Sequence, residues 1–443
     1  MTKTYVIKTL GCKVNRFDSD ALEAALEKRG WRRADGDEPA GLCIVNTCTV
    51  TGKGAMQSRQ EIRRLIRRFP QARVVVTGCH AQVAPQDLRA IAGVDDVVGT
   101  AEKGLIPERV TALLENKTVN RSGKNIEASM GPGKGCFADP SLPVTGRRTR
   151  PVVKIQDGCD AFCTYCIVPY ARGRSRSSTP EDVLAALFGL SEAGYHEAVL
   201  SGIHLGHYGR DLSPPTDLTA MMRQIERLQP IRRVRLSSIE PNEIEDEMLE
   251  IIAGSDRFCR HLHVPLQSGS DDVLQKMGRP YSAALFSEKV AGIHEKIPDA
   301  AIGADVLIGF PGETDAAFSD TYDLVASLPL AYLHVFPFSP RPGTPASRYP
   351  GRVPHAVVRE RCGSMRRLGA RKRERFLARW VGKEVEVLVE SSRDRETGKW
   401  KGISSQYTTV LLDSDEQLSN RILRVQVEAV ADPCRLTGSV KVP

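Results

Sequence analysis

Three cysteines, Cys159, Cys163 and Cys166, lie close together in the stretch Gly158-Cys159-Asp160-Ala161-Phe162-Cys163-Thr164-Tyr165-Cys166. Thiolates are good ligands for soft metals and for iron–sulfur clusters. A structural zinc site normally has four protein ligands, so three thiols predict an iron with one position open to a small molecule. The alternatives for the spacing alone are a zinc knuckle or three buried thiols.

A second set of three cysteines follows three predicted strands. Cys12, Cys48 and Cys79 follow apolar runs at 5–10, 42–45 and 74–76, with one or two residues between run and cysteine. The carboxyl ends of parallel strands meet at one edge of a sheet, so these thiols are expected to converge. The pattern predicts a second metal site, and the alternative is three unrelated core thiols.

Other cysteines and histidines lack such placement. Cys43 lies inside its predicted strand and is expected to be a core thiol. Nothing marks Cys136 or Cys434 as a ligand. Three histidines lack metal-site spacing and are not expected to be ligands: His204, His207 and His263.

Length and composition are those of a globular protein with two or three domains: 443 residues, 41% hydrophobic and 26% charged. The sequence has no run of eighteen apolar residues and no signal-peptide core at Met1-Thr2-Lys3-Thr4. A cytoplasmic location without a membrane partner is therefore expected. Eleven cysteines in such a chain indicate metal or redox chemistry rather than disulfides.

Alternating strands and helices are expected to position both sets of thiols. Residues 1–118 predict a parallel sheet with helices on its faces, including helices at 18–29 and 54–69. Residues 119–149 are rich in Gly, Ser, Lys and Pro and predict a linker. Six further strand–helix units predict an α/β domain, a partial (βα)6 barrel open on one side. Its strands are expected at 152–156, 197–202, 233–238, 261–266, 302–308 and 332–337.

Polar residues and glycine cluster at the predicted carboxyl ends of these strands, where functional residues of such folds gather. Each alone could equally be part of a turn or a helix cap. The candidates are Ser201, Gly202, Ser238, Glu240, Gln267 and Asp305.

The last part of the chain indicates a polyanionic partner. Residues 359–379 carry nine Lys or Arg and two acidic residues, and the chain has a net charge of +8. The arginine-rich helix at 54–69 could also contact phosphates or be merely solvated. Residues 380–443 predict a small antiparallel β-barrel, a module that often binds RNA, although their net charge is −1. The basic helix is assigned to the central domain, 150–379.

Four strings of residues resemble motifs of the radical S-adenosylmethionine (SAM) methylthiotransferases. They are Thr9-Leu10-Gly11-Cys12-Lys13-Val14-Asn15, Val45-Asn46-Thr47-Cys48, Thr77-Gly78-Cys79 and Cys166-Ile167-Val168-Pro169-Tyr170-Ala171-Arg172-Gly173. The resemblance spans essentially the whole chain. It implies an N-terminal three-cysteine domain, a radical SAM barrel and a C-terminal TRAM domain.

The resemblance also implies the cofactors. In this family, one 4Fe–4S cluster binds SAM and a second carries the sulfur to be inserted, and two SAM are consumed per product. The matching ligands here are Cys159, Cys163 and Cys166 for the first cluster and Cys12, Cys48 and Cys79 for the second. Tyr165 would lie near the adenine of SAM, and the strand-end residues would surround its methionyl and ribose parts.

The implied substrate is tRNA. The string Leu10-Gly11-Cys12-Lys13-Val14-Asn15 is most similar to the branch that modifies N6-threonylcarbamoyladenosine beside the anticodon (position 37). Alternatives are methylthiolation of N6-isopentenyladenosine or of a ribosomal protein side chain, and a non-catalytic zinc- and RNA-binding protein. An electron donor of flavodoxin or ferredoxin type and a sulfur donor, both unidentified, complete the expected partners.

Overall fold

The computed structural model describes residues 3–36, 38–114 and 148–441. Cys136 and nearly all of the predicted linker lie outside the described residues. The chain divides into two compact units. The first combines the described residues up to Leu114 with Lys154–Asp182 and Ser339–Ser347, and the second contains the rest. None of the described helices combines the length and apolar character that crossing a membrane requires.

A five-stranded parallel sheet forms the centre of the N-terminal part, as the alternation predicts. Its strands are β1 (Thr4–Thr9), β2 (Arg32–Arg33), β3 (Leu42–Thr47), β4 (Arg73–Gly78) and β5 (Asp96–Val98). Their order across the sheet is β2-β1-β3-β4-β5. The three strands that precede Cys12, Cys48 and Cys79 are therefore neighbours.

Helices cover both faces of this sheet. Successive residues of a strand point to opposite faces, so Cys43 and Val45 pack in one core cluster while Leu42 and Ile44 pack in the other. The helices are α1 (Lys13–Glu27), α2 (Gly52–Arg68), α3 (Cys79–Val83), α4 (Pro85–Arg89) and α5 (Ile106–Leu114).

All six strands predicted for the central domain are present. They are β6 (Val152–Lys154), β9 (Glu197–Ser201), β10 (Arg233–Leu236), β11 (His261–His263), β12 (Ala301–Ile308) and β13 (Tyr332–Pro337). They form two three-stranded sheets, β10-β9-β6 and β11-β12-β13. A parallel bridge joins Ser238, just after β10, to His263 in β11. The short strands β7 (Gln156–Asp157) and β8 (Arg176–Ser177) pair with each other.

Helices alternate with these strands, as expected of an α/β fold. They are α6 (Val168–Arg172), α7 (Pro180–Glu192), α8 (Leu218–Leu228), α9 (Asp246–Gly254), α10 (Asp271–Met277), α11 (Ala283–Lys296), α12 (Asp315–Ser327) and α13 (His355–Ala378).

The basic stretch forms the long helix α13, but its charge is not all available to a partner. Arg361 is 6% exposed and pairs with Glu313 and Asp315. Lys372 donates to Leu328 O at 2.7 Å, and burial lowers the pKa of this amine to about 8. The arginines on the solvent side are Arg359, Arg366, Arg367, Arg371, Arg375 and Arg379.

The C-terminal part is a closed five-stranded barrel. Its strands are β14 (Glu384–Arg393), β15 (Trp400–Ser404), β16 (Thr409–Leu412), β17 (Ile422–Asp432) and β18 (Arg435–Val440). The expectation of a wholly antiparallel barrel is wrong in one detail, because β16 and β18 run parallel. A closed ring with an odd number of strands cannot alternate direction all the way round, so one neighbouring pair must be parallel.

Candidate functional site

The loop of Cys159, Cys163 and Cys166 connects β7 to α6. Its start is anchored by Cys159 N, which donates to Gly173 O at 3.0 Å, and its end is tightened by Cys166 N, which donates to Cys163 O at 2.9 Å. The amide of Ala161 donates to Cys159 Sγ at 3.4 Å. Backbone donors to sulfur stabilise thiolate ligands, so the loop suits a metal or cluster.

The start of the loop requires glycine at position 158. Gly158 has φ +78°, and a Cβ there would lie 1.9 Å from Arg174 O. Gly173 has nearly the same φ, +76°, but nothing lies within 4 Å of its Cβ position. Comparing substitutions at these two glycines therefore separates the effect of backbone strain from the effect of the steric clash.

Gly158→Ala is expected to prevent the loop from closing, and Gly173→Ala is the matched control. Both variants carry about 1–3 kcal/mol of positive-φ backbone strain, but only the first also clashes with a carbonyl oxygen. Iron measured per chain after anaerobic reconstitution should fall in Gly158→Ala and stay near the parent value in Gly173→Ala. Equal iron content in the two variants would contradict the prediction that the clash prevents the loop from closing.

The structure brings Cys12, Cys48 and Cys79 together at one edge of the N-terminal sheet. Cys12 caps α1, Cys48 follows β3, and Cys79 is the first residue of α3. A Cβ at Gly11 would lie 2.8 Å from Cys48 Cβ, so these two loops touch. Burial raises the pKa of Cys48 to about 11, and the neighbouring Cys79 and Cys12 contribute to that rise. A metal or cluster bound here would have to displace these protons, because cysteine ligates as the thiolate.

Neither set of three thiols is spaced for a single zinc ion. Among the described residues, two groups place all their potential ligand atoms within 4.8 Å of one another, and neither contains a cysteine. Three sulfur ligands of one zinc ion, each at about 2.3 Å from it, would lie closer than that. The role of all six cysteines as ligands stays a prediction.

Arg172, at the end of α6, joins the two cysteine sets. It follows Cys166 by six residues, and it donates to Asn15 Oδ1 at 2.5 Å. Burial raises the pKa of Cys79, whereas the positive charge of Arg172 and a hydrogen bond from it act in the opposite direction. One buried guanidinium thus contacts the helix that Cys12 caps and the thiol of Cys79.

A buried ionic network surrounds this guanidinium. Asp18 accepts from Lys103 at 2.6 Å and Lys154 at 2.7 Å, and Arg172 lies 3.2 Å from it. Burial alone would raise the pKa of Asp18, but the three cations hold it well below its usual range. Asp157 adds a second carboxylate, 2.8 Å from Arg172 and 3.1 Å from Lys154.

Sequence reasoning missed this network. Asp18 and Arg172 are 154 residues apart, and no spacing rule connects them. A signal was nevertheless present, because Asn15 and Arg172 both lie in the strings that carry the family resemblance.

The segment Ser339–Ser347, after β13, also contacts the loop that follows Cys48 and the loop that contains Cys163 and Cys166. Ser339 Oγ accepts from Gly52 N at 2.9 Å, close to Cys48, and Ala346 N donates to Thr164 O at 2.9 Å, between Cys163 and Cys166. No pattern in the sequence indicates that this Pro-rich stretch reaches either set of thiols.

The predicted strand-end residues take the expected places, with one exception. Ser201 ends β9 with Gly202 next to it, Ser238 follows β10, and Gln267 lies beyond β11 with φ +66°. The exception is Asp305, which lies in the middle of β12 rather than at its end. Contact of these residues with SAM stays a prediction, as it does for the half-buried Tyr165.

Two of the predicted carboxylates have partners that the sequence did not reveal. Glu240 pairs with Arg279. Asp305 lies 2.9 Å from His263 Nε2 and 3.2 Å from His334 Nδ1. Burial would raise the pKa of Asp305, but hydrogen bonds from the two histidines hold it well below its usual range.

His204 and His207 meet at one carboxylate. Their Nε2 atoms lie 2.7 and 3.2 Å from Glu243 Oε1, and their rings stack with centroids 3.6 Å apart. Together with Glu243 they place one potential ligand atom each within 4.8 Å of one another, so their geometry would allow a metal ion. That these histidines are not ligands stays a prediction.

The remaining predictions on cysteines fit the structure. Cys43 is fully buried in a core cluster, and burial raises its pKa to about 12. Cys434 is exposed. The ten described cysteines are thiols rather than disulfides.

Two family descriptions match the chain. Residues 4–99 match the Uncharacterized protein family UPF0004, and residues 153–325 match the Radical SAM superfamily. The first range contains Cys12, Cys48 and Cys79, and the second contains Cys159, Cys163 and Cys166. The C-terminal barrel lies outside both.

Curated relatives match nearly the full length. The chain is 35% identical over 426 residues to the threonylcarbamoyladenosine tRNA methylthiotransferase MtaB of Bacillus subtilis (strain 168), covering 96% of this chain and 93% of the relative. It is 33% identical over 443 residues to the tRNA-2-methylthio-N(6)-dimethylallyladenosine synthase of Pelotomaculum thermopropionicum (strain DSM 13744 / JCM 10971 / SI), covering 98% and 97%. Both relatives are named as modifying tRNA.

A solved structure shares the fold. The radical S-adenosylmethionine methyltransferase TsrM from Kitasatospora setae matches 78% of this chain and 75% of its own, with a TM-score of 0.57 and 19% identity. At this identity, the likeness concerns the fold alone.

Proposed function

Because the chain belongs to the radical SAM tRNA methylthiotransferases, we propose that it converts N6-threonylcarbamoyladenosine beside the tRNA anticodon to its 2-methylthio derivative. The observation that carries this proposal is the meeting of two three-thiol sets in one unit, joined through Arg172. The name of the Bacillus subtilis relative favours the threonylcarbamoyl substrate.

Radical SAM enzymes use SAM and a 4Fe–4S cluster, and we propose two such clusters here. The first would be held by Cys159, Cys163 and Cys166, and the second by Cys12, Cys48 and Cys79. When bound, the first cluster supplies the electron that cleaves SAM to methionine and a 5′-deoxyadenosyl radical, and the second carries the sulfur to be inserted. A radical is needed because carbon 2 of adenine has an unactivated C–H bond.

The chain itself would bind, orient and shield these groups. In our proposal, Tyr165 packs near the adenine of SAM. Residues after the strands contact its ribose and methionyl parts: Ser201, Gly202, Ser238, Glu240 and Gln267, with Asp305 from β12. A second SAM supplies the methyl group, so two are consumed per product.

Arg172 would hold the two thiol-bearing loops in a fixed relation. It continues the helix after Cys166 and hydrogen-bonds to α1, directly behind Cys12. Its buried positive charge also compensates the negative charge of thiolates at Cys79 and Cys12.

The rest of the chain would serve tRNA binding. We propose that residues 1–118 form the methylthiotransferase domain, 119–149 the linker, 150–379 a partial (βα)6 radical SAM barrel and 380–443 a TRAM domain. The six exposed arginines of α13 would form a phosphate-binding face, and their number supports a nucleic-acid substrate. An electron donor of flavodoxin or ferredoxin type would reduce the cluster.

Deleting the gene is expected to remove 2-methylthio-N6-threonylcarbamoyladenosine from total tRNA and to let its unthiolated precursor accumulate. Mass spectrometry of the nucleosides measures both. Complementation with the Cys43→Ala variant should restore the product, since Cys43 is a core thiol, whereas Cys79→Ala should not.

The same measurement distinguishes the alternatives. Loss of the methylthio derivative of N6-isopentenyladenosine instead would assign the activity named for the Pelotomaculum relative. If neither nucleoside changed, the tRNA substrate proposed here would be wrong, and a protein side chain would become the next candidate.

A further inference from the structure

The second unit contains a cavity of about 420 Å³ that is lined by none of the residues proposed to contact SAM. Its walls come from β13, from α13 and from the C-terminal barrel. Ligand pockets for small molecules have volumes of this order. The polar and aromatic residues that line it are Arg150, Tyr332, His334, Arg366, Arg373 and Tyr407.

The helix side of the cavity has two arginines with small residues between them. Arg366, Gly369, Ala370 and Arg373 are spaced three, four and seven residues apart, so they share one face of α13. Gly369 is in close contact with Leu333, since a Cβ there would lie 3.2 Å from Leu333 Cβ. The helix therefore presents two guanidinium groups on either side of a shallow, flat floor.

Arg373 lacks an acidic partner. No described carboxylate lies within ion-pair distance of it, and its Nη1 is buried without a hydrogen-bond acceptor among the described residues. Its Nη2 donates to Tyr407 O at 3.2 Å. Arg361, on the same helix, is instead neutralised by Glu313 and Asp315. A partly buried guanidinium with an unused donor is well suited to bind an anion.

Two phenol rings form the opposite side. Tyr332 and Tyr407 have ring centroids 6.4 Å apart and planes tilted by 43°. Arg373 lies 5.8 Å from the Tyr332 ring, and Arg150 lies 5.9 Å from the Tyr407 ring. Aromatic faces beside cations favour a ligand that combines a planar ring with negative charge.

We propose that this cavity binds a nucleotide, with its base against Tyr332 and Tyr407 and its phosphate on Arg373 and Arg366. Tyr332 is the first residue of β13, so the cavity opens at the amino ends of the strands, away from the carboxyl ends where Ser201 and Gln267 lie. His334, which lines the cavity, lies 3.2 Å from Asp305, so the cavity borders the proposed SAM site but contains none of its residues. The nucleotide could be free, or it could be part of the RNA, and only this second source rests on the proposed function.

The test is a titration of the reconstituted protein, kept saturated with SAM so that the SAM site is filled. The probes are adenosine 5′-monophosphate, adenosine and a tRNA anticodon stem-loop. Calorimetry measures the affinity of the protein for each. Arg373→Gln is compared with Arg227→Gln, which removes the same charge from an exposed position of α8, outside the arginines proposed to contact tRNA. Loss of a charged hydrogen-bond partner is expected to weaken binding about tenfold or more in the first variant only.

A second variant tests whether a loss of binding in Arg373→Gln could come from misfolding. Ala370→Phe fills the cavity from an exposed helix position without removing a charge, and it should weaken the same probe as Arg373→Gln. SAM cleavage by both variants should stay at the parent rate, since neither Arg373 nor Ala370 is among the residues proposed to contact SAM.

The outcomes identify the source of the nucleotide. Weaker binding of the monophosphate in both variants supports a free nucleotide, and it would stand even if the proposed tRNA modification failed. If the monophosphate does not bind but the stem-loop binds more weakly to both variants than to Arg227→Gln, the site takes a nucleotide of the RNA. Binding equal to that of Arg227→Gln for every probe would overturn the inference.

Discussion

Cys163→Ala is expected to abolish the reductive cleavage of SAM, whereas Cys79→Ala is expected to retain that cleavage and to lose sulfur insertion. The first set of thiols would hold the cluster that binds SAM, and the second would hold the cluster that carries sulfur. Each set supplies three ligands, so losing one leaves a cluster with too few thiolates. The affected step should fall to background.

The two steps are measured in the same reaction, with dithionite as reductant and a stem-loop RNA that carries the threonylcarbamoyl group. 5′-Deoxyadenosine reports SAM cleavage, and the 2-methylthio nucleoside reports sulfur insertion. Cys43→Ala is the control, because Cys43 is equally buried but lies in the core and should keep both activities. Methylthiolation that persisted in Cys79→Ala would show that the second set does not deliver sulfur.

The meeting of Cys12, Cys48 and Cys79 follows from a rule that the sequence can supply. Each cysteine closely follows a buried strand, and parallel strands place their carboxyl ends along one edge. The structure adds that the three strands are β1, β3 and β4, which are adjacent in the sheet. Neighbouring strands lie about 5 Å apart, so residues at their ends must be close.

Two strands of the C-terminal barrel could not be predicted in this way. β15 and β18 contain Gly402 and Gly438, and glycine lowers strand propensity because it adds no side chain to the sheet. In the closed barrel, these glycines are required. A Cβ at Gly438 would lie 2.6 Å from Gln426 O, and one at Gly402 would lie 2.7 Å from Val387 Cγ2.

The network around Arg172 was also beyond sequence reasoning, for a different reason. Its members come from α1, from the residues before α5 and from both sides of the cysteine loop, so no periodicity relates them. Buried ions must be paired by the tertiary structure, and only the fold determines which charges meet.

Arg172→Met is expected to lower the reduction potential of the cluster proposed on Cys12, Cys48 and Cys79. In the buried network, Asp18 and Asp157 are matched by Lys103 and Lys154, which leaves the charge of Arg172 in excess. Burial would lower the pKa of Arg172, but Asp157, Cys79, Asp18 and Cys12 raise it well above its ordinary value. This excess positive charge therefore stabilises negative charge on the neighbouring thiolates. Reduction adds an electron, so losing the cation should disfavour the reduced state by on the order of 100 mV.

The direction of the shift in reduction potential distinguishes an electrostatic effect of the network from a loss of structure at the site. Asp18→Asn removes a negative charge from the same network and should raise the potential, whereas general loosening of the site would not give opposite shifts in the two variants. Arg64→Met is the surface control, since its pair with Glu61 is exposed and should contribute at most about 1 kcal/mol to stability. Redox titration followed by electron paramagnetic resonance measures the potential, and iron content shows that each variant retains its clusters. If both network variants moved the potential in the same direction, the guanidinium would be holding the two loops in place without tuning the charge at the thiols.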